Sequence, residues 1–269
     1  MARIAVAATA PFGADLLGQL ASRHEIVTLL TRPDAPRGRG RKIAPPPAKV
    51  VAEKLQIPVV QPVRLTSDVC IHSHHLDAVI VAAYWLLIPE SLLAKHLWLN
   101  VHPSLLPRWR GAAPVERAIM AGDEQTGVTI HQTVKELDAG PIAAQHAFPI
   151  GPDDDAGAVV ARAAGVAADL LDDVLAAPEP DFHPQPESGV TYADKIAAAD
   201  RDLDLSRPAE EIHNKVRALS PHIGARATID GRRLTVWRTR VVDGGLELLE
   251  VQPEGRRRMT YAEYLRGLR

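Results

Sequence analysis

The sequence predicts a doubly wound α/β domain with a mostly parallel sheet, followed by a small all-β module. Three observations carry this. Through the first two thirds of the chain, short Val-, Ile- and Leu-rich runs alternate with longer segments whose apolar residues recur at helical spacing. Those runs show almost no polar face, as expected of strands covered on both sides by crossover helices. After a proline-rich stretch the texture changes to alternating strands with Asp-Gly turns. At 269 residues the chain exceeds the commonest size of one domain, so two are expected.

Taken in order, RIAVAA (3–8), EIVTLLT (25–31), PVVQ (58–61), DAVIVAA (77–83) and WLNVH (98–102) read as strands. Between and after them, the segments 13–23, 48–56, 90–96 and 114–122 have the apolar spacing of helices. TGVTIHQTV (126–134) alternates apolar and polar residues and predicts an edge or half-exposed strand. A long helix follows over 153–177, with acids at its positive N-terminal end. PEPDFHPQPESG (178–189) holds four prolines and reads as extended spacer chain. The predicted division is a first domain over 1–180, a linker over 181–193 and a C-terminal module over 194–269. In that module a helix over 206–219 precedes hairpins turning at IDGRR and VVDGG.

Composition narrows the function. Net charge is −2, so any surface for a polyanion must be a local patch. Cys70 is the single cysteine, which excludes an internal disulfide framework and fits a reducing compartment. No Cys/His zinc spacing occurs, so no metal is expected. The N-terminal apolar run reads as the first strand rather than a signal sequence, and no segment approaches the roughly 20 apolar residues of a membrane span. A cytoplasmic location is therefore expected, with no membrane partner. No Gly-x-Gly-x-x-Gly follows the first strand, which argues against a dinucleotide-dependent dehydrogenase.

Polar residues crowd one place. In LNVHPSLLPRWRG, Asn100 and His102 lie two apart on a strand and so project to one face at its carboxyl end, where open α/β sheets bind ligands. Pro103 ends the strand, and Ser104 together with the amides of the following helix would face the same crevice. Asp138, in ELDAGPI, lies on a turn just after the alternating strand. Each residue alone is ordinary: a strand-end histidine is usually structural and Asp before Ala-Gly usually forms a turn. Together they assemble an orienting amide, a proton-sensitive imidazole and a carboxylate base.

A second feature is TRPDAPRGRGRKIAPPPAK (31–49), with six cations against one acid in a chain of negative total charge. Such a Gly- and Pro-rich basic loop suits phosphate contacts. WRTR (237–240) and GRRRM (255–259) give the C-terminal module a basic face as well.

The block NVHPSLLPRWRGAAPVERAI...GDEQTGVTIHQTVKELDAGPI resembles the signature of the folate-dependent formyltransferases, and TRPDAPRGRGRK, VIVAAYWLLIP and VTYADKIAAADRDLDLS extend the resemblance over almost the whole chain. It implies a Rossmann-like catalytic domain and a C-terminal oligonucleotide-binding-type barrel. It also implies transfer of a formyl group from 10-formyltetrahydrofolate to the α-amine of methionyl-initiator tRNA, for translation initiation, by an enzyme expected to be monomeric. Asn100, His102 and Asp138 would then be catalytic. Ala82, Ala83, Tyr84, Trp85, Leu86, Leu87 and Ile88, with Ser104, Leu105, Leu106 and Pro107, would line the folate site, largely through backbone groups. Arg37, Arg39, Arg41 and Lys42 would enter the acceptor stem of the tRNA.

Two features depart from that pattern. Trp85 stands where the family usually has glycine and would narrow the folate pocket. After VVDGG the chain runs almost directly to LELLEVQPEGRRRM, as if about two central strands of the barrel were missing. The alternatives are a formyltransferase acting on an amino-sugar nucleotide, which shares the signature, and a non-catalytic tRNA-binding module.

Overall fold

The computed structural model describes residues 1–37, 40–66 and 75–268. In the first half the elements are β1 (Arg3–Ala8), α1 (Pro11–Leu20), β2 (Glu25–Leu30), β3 (Ala35–Arg37), β4 (Lys42–Ala44), α2 (Pro47–Lys54), β5 (Val59–Val60), β6 (Ala78–Ala82), α3 (Glu90–Leu93) and β7 (Trp98–His102). There follow β8 (Arg110–Gly111), α4 (Pro114–Met120), β9 (Gln125–Gln132), β10 (Ile142–Pro149), α5 (Ala156–Ala176) and β11 (Tyr192–Ala193). The chain ends with α6 (Ala209–Ala218), β12 (Ala225–Ile229), β13 (Arg232–Val242), β14 (Gly245–Pro253), β15 (Met259–Thr260) and α7 (Tyr261–Arg266).

The main sheet has seven strands in the order β10-β9-β7-β6-β1-β2-β5. Pairings β5-β2, β2-β1, β1-β6 and β6-β7 are parallel, and β7-β9 is antiparallel. The strand order reverses its growth at β1: β2 lies on one side and β6 on the other, the mark of a doubly wound sheet. At the first turn a side chain on Gly13 would meet the Ala82 carbonyl and lie 2.7 Å from Ala8 Cβ. Only glycine lets α1 rise so close to β1.

β9 is not the edge strand that its alternation predicts. It lies between β7 and β10, and its residues from Thr126 to His131 are buried. Two of its buried polar residues, Thr129 and His131, are hydrogen-bonded in the site described below. The edge is β10, whose IAAQHAFP has no clear period and gives no strand signal. The helix expected over 90–96 keeps only Glu90–Leu93. The basic loop is a short antiparallel hairpin, β3 with β4. Cys70 and Arg39 lie outside the described residues.

Contacts group the chain into two compact units. The first, Met1–Arg110 with Gly127–Ala147 and Ala161–Val190, has a core in which Leu30, Val79, Tyr84, Leu92 and Trp98 pack together. The second takes Gly111–Thr126 and Phe148–Val160 with Thr191–Arg269. This differs from a single cut at 181–193, because α4 packs against α6 of the C-terminal chain. The second unit's core joins Ile212, Val216 and Leu219 to Leu234, Val236, Val251 and Tyr264. Its sheet, β12-β13-β14-β15, is open, with β12 and β15 as edges. The β12-β13 and β13-β14 hairpins turn at Asp230-Gly231 and Asp243-Gly244, all four residues at positive φ as Asp-Gly turns require. Among the described residues no helix is long and apolar enough to cross a membrane.

Candidate active site

β7 and β9 build the floor of the site. Their antiparallel register sets Asn100 opposite His131 and His102 opposite Thr129. Directly opposed residues share a face of the sheet, so two amphipathic patterns, one on each strand, converge into one polar patch. The turn between β9 and β10 then carries Asp138 back over that patch. Asp138 is in the left-handed region, φ +48°, which Asp tolerates better than most residues. Two residues on, a side chain at Gly140 would collide with the carbonyl of Gln132.

The hydrogen bonds fix each group. His131 Nδ1 lies 3.0 Å from the Gln132 carbonyl, which can only accept, so the proton sits on Nδ1. Burial, seconded by nearby His102, pushes the His131 imidazole down to about 4 against the opposing pull of Asp138, so the ring is neutral near pH 7. Its Nε2 therefore accepts from Asn100 Nδ2 at 2.9 Å. The same amide nitrogen donates its second hydrogen to Asp138 Oδ1 at 3.1 Å. The orientation of Asn100 follows from both partners, since a lone pair and a carboxylate each require a donor. The 3.7 Å between His131 Nε2 and Asp138 Oδ1 is no ion pair with the ring neutral; Asn100 links the two.

His102 Nε2 lies 2.8 Å from the Trp109 carbonyl, so Nε2 carries a hydrogen and Nδ1 is the nitrogen that can gain or lose a proton. Nδ1 is 3.6 Å from Asp138 Oδ2. The structure thus brings Asn100, His102 and Asp138 together, with Asp138 only 12% exposed.

The loop after β7 is held differently from expectation. Ser104 is fully buried and its hydroxyl donates to the Arg108 carbonyl at 2.7 Å, so its side chain closes the loop and does not face the crevice. Leu106 N donates to Thr129 Oγ1, which itself donates to the Ser104 carbonyl, and Gln145 Nε2 donates to Leu106 O and Thr129 Oγ1. Leu105 and Pro107 are half-buried, and Leu106 is buried. In the loop after β6, Ala82 ends the strand, and Ala83 and Trp85 take left-handed φ of +47° and +64°. Tyr84 packs into the core, with Leu86 and Ile88 against it. Burial raises the Tyr84 phenol and keeps it protonated. Leu87 is exposed, and Trp85 is 63% exposed: its ring stands in solvent instead of filling a pocket. A left-handed backbone explains the glycine expected at Trp85.

In the basic hairpin Arg37 pairs in register with Lys42, and Arg41 and Lys42 are exposed. Arg41 holds the turn at φ +45°. Sequence reasoning missed Thr129, His131, Gln145 and Gln185. For Thr129 and His131 the signal existed: they are polar positions two apart in TGVTIHQTV, and in register they lie opposite His102 and Asn100.

A formyl transferase family model matches residues 2–175, and one for the formyl transferase C-terminal domain matches residues 195–247. The chain belongs to the formyl transferase family. Among curated formyl transferases it is 40% identical to the methionyl-tRNA formyltransferase of Cutibacterium acnes over 282 positions, covering 91% of this chain and 90% of that one. It is 39% identical to that of Halorhodospira halophila, covering 100% and 97%, in an alignment of 306 positions against the 269 residues here. Among solved structures it shares the fold of the N-formyltransferase of Helicobacter canadensis, in complex with folinic acid and dTDP-3-aminofucose, with TM-score 0.67 and 15% identity over 90% of this chain and 89% of that one.

Proposed function

We propose that this formyl transferase moves a formyl group from 10-formyltetrahydrofolate to the α-amine of methionyl-initiator tRNA in the cytoplasm. The meeting of Asn100, His102 and Asp138 at the carboxyl end of β7 supports the chemistry. The naming of its 38–43% identical relatives supports the acceptor. In this reading 1–180 performs the transfer, 181–193 connects, and 194–269 contributes to tRNA binding together with Arg37, Arg39, Arg41 and Lys42 of the basic stretch. The backbone of 82–88 and 104–107 meets the folate.

The reaction is acyl transfer. The neutral amine attacks the formyl carbon, a carbon–nitrogen bond forms, and a tetrahedral centre with a charged oxygen results. His102, protonated on Nδ1, and the Asn100 N–H now shared with Asp138 supply the donors for that oxygen. Asp138 takes the proton lost by the attacking nitrogen. The intermediate collapses as the bond from the formyl carbon to the folate nitrogen breaks, and that nitrogen recovers the proton.

Transfer of label from formyl-labelled tetrahydrofolate to charged initiator tRNA tests the reading directly, with a dTDP-amino sugar as competing acceptor. Labelled formylmethionyl-tRNA is expected. Label on the sugar alone would overturn the acceptor assignment, and no transfer to either would overturn the activity.

A further inference from the structure

The proline-rich stretch reads as a spacer, yet it is fastened to the turn that carries Asp138. His183 and Ile142 exchange backbone hydrogen bonds of 2.9 and 2.7 Å. Two residues on, half-buried Gln185 donates through Nε2 to the carbonyls of Asp138 and Gly140, both at 2.8 Å. Its Oε1 accepts from the Arg110 guanidinium, at 3.1 Å from Nε and also from the terminal nitrogen. Every polar atom of the Gln185 side chain is used, and two carbonyls flanking one turn are held by one amide.

The bonds close a ring. Arg110 directly follows Trp109, whose carbonyl holds His102, and Asp138 Oδ2 faces His102 Nδ1. The path His102–Trp109–Arg110–Gln185–Asp138–His102 thus ties both members of the proton-handling pair to one small frame. The turn needs such a frame, because Asp138 is left-handed and Gly140 lies against the Gln132 carbonyl. We propose that Gln185 is a positioning residue for catalysis: it sets the Asp138 carboxylate against His102 by gripping the carbonyls of Asp138 and Gly140. This rests on the catalytic assignment of Asp138 made above.

Two variants separate positioning from bulk structure. Gln185→Glu keeps an acceptor for Arg110 and loses both donors, whereas Gln185→Ala loses all four bonds. Both are expected to lower kcat about tenfold or more, with KM for tRNA and for the formyl donor within about twofold, since a small misplacement of a reacting group is costly in turnover. In an Asp138→Asn background, Gln185→Glu should add less than about a twofold loss, because the carboxylate it positions is gone.

Folded Gln185→Glu with kcat within about twofold of the parent would overturn the inference. So would a full additional loss on Asp138→Asn, or loss of the fold in both Gln185 variants, which would make the strap structural. Normal turnover of Asp138→Asn alone would instead strike the catalytic reading on which the inference stands.

Discussion

Asp138 illustrates how the place of one side chain depends on the turn that carries it. Its carboxylate lies 3.1 Å from Asn100 Nδ2 and 3.6 Å from His102 Nδ1. Asp138→Asn keeps the volume but cannot take a proton. We expect kcat to fall by about 10² or more with little change in either KM, checked by steady-state kinetics. Gly140→Ala should act through the backbone: the added Cβ has no room beside the Gln132 carbonyl, so the turn must move and carry Asp138 with it. A fall in kcat of at least about tenfold is expected, and a crystal structure of the variant should show the turn displaced. Asn100, His102 and Asp138 could be read from residue type and spacing. His131 could not be assigned so readily, because its role depends on facing Asn100 across an antiparallel pair.

Among the elements, β9 and the chain over 178–189 show why local pattern misleads. Alternation in TGVTIHQTV signals a polar face, and sequence reasoning assigns such a face to water. Here Thr129 and His131 are buried, with Thr129 bonded to Ser104 O and Gln145 and His131 to Asn100. Prolines over 178–189 forbid helix, as expected, but an extended chain can also pair, and His183 does so with Ile142. The hairpin β3-β4 offers a test of its own. If Arg41 and Lys42 each contact a phosphate, replacing both by glutamine should lower the slope of log affinity against log salt by about 1.4 to 1.8. Filter binding of initiator tRNA at several salt concentrations measures it; an unchanged slope would remove both residues from the interface.

For the molecule as a whole, the buried imidazole of His131 links the site to stability. Its folded pKa is held down to about 4 by burial, below the ordinary value of about 6.5 for the unfolded chain. The unfolded state therefore binds the proton first as pH falls. His131 contributes nothing that varies above pH 6.5, and its contribution is lost progressively from about pH 6.5 to about 4. The loss is on the order of 3 kcal/mol at most. Urea unfolding at pH 7, 5.5 and 4.5 should show the parent losing stability faster than His131→Asn; parallel curves would contradict the buried neutral state.

Hydrophobic period, proline and glycine punctuation, and the order of strand and helix sufficed for the α/β class, the parallel strands through β7 and a small β module after them, because these follow from local sterics and from which faces must avoid water. Motif spacing sufficed to single out Asn100, His102 and Asp138, which the folded chain brings together. Neither could reveal that β9 runs inside the sheet, that Ser104 turns inward, or that Gln185 grips the turn of Asp138. Those facts depend on which distant groups meet, and a buried polar atom declares its partner only when the folded chain brings a donor and an acceptor within bonding distance.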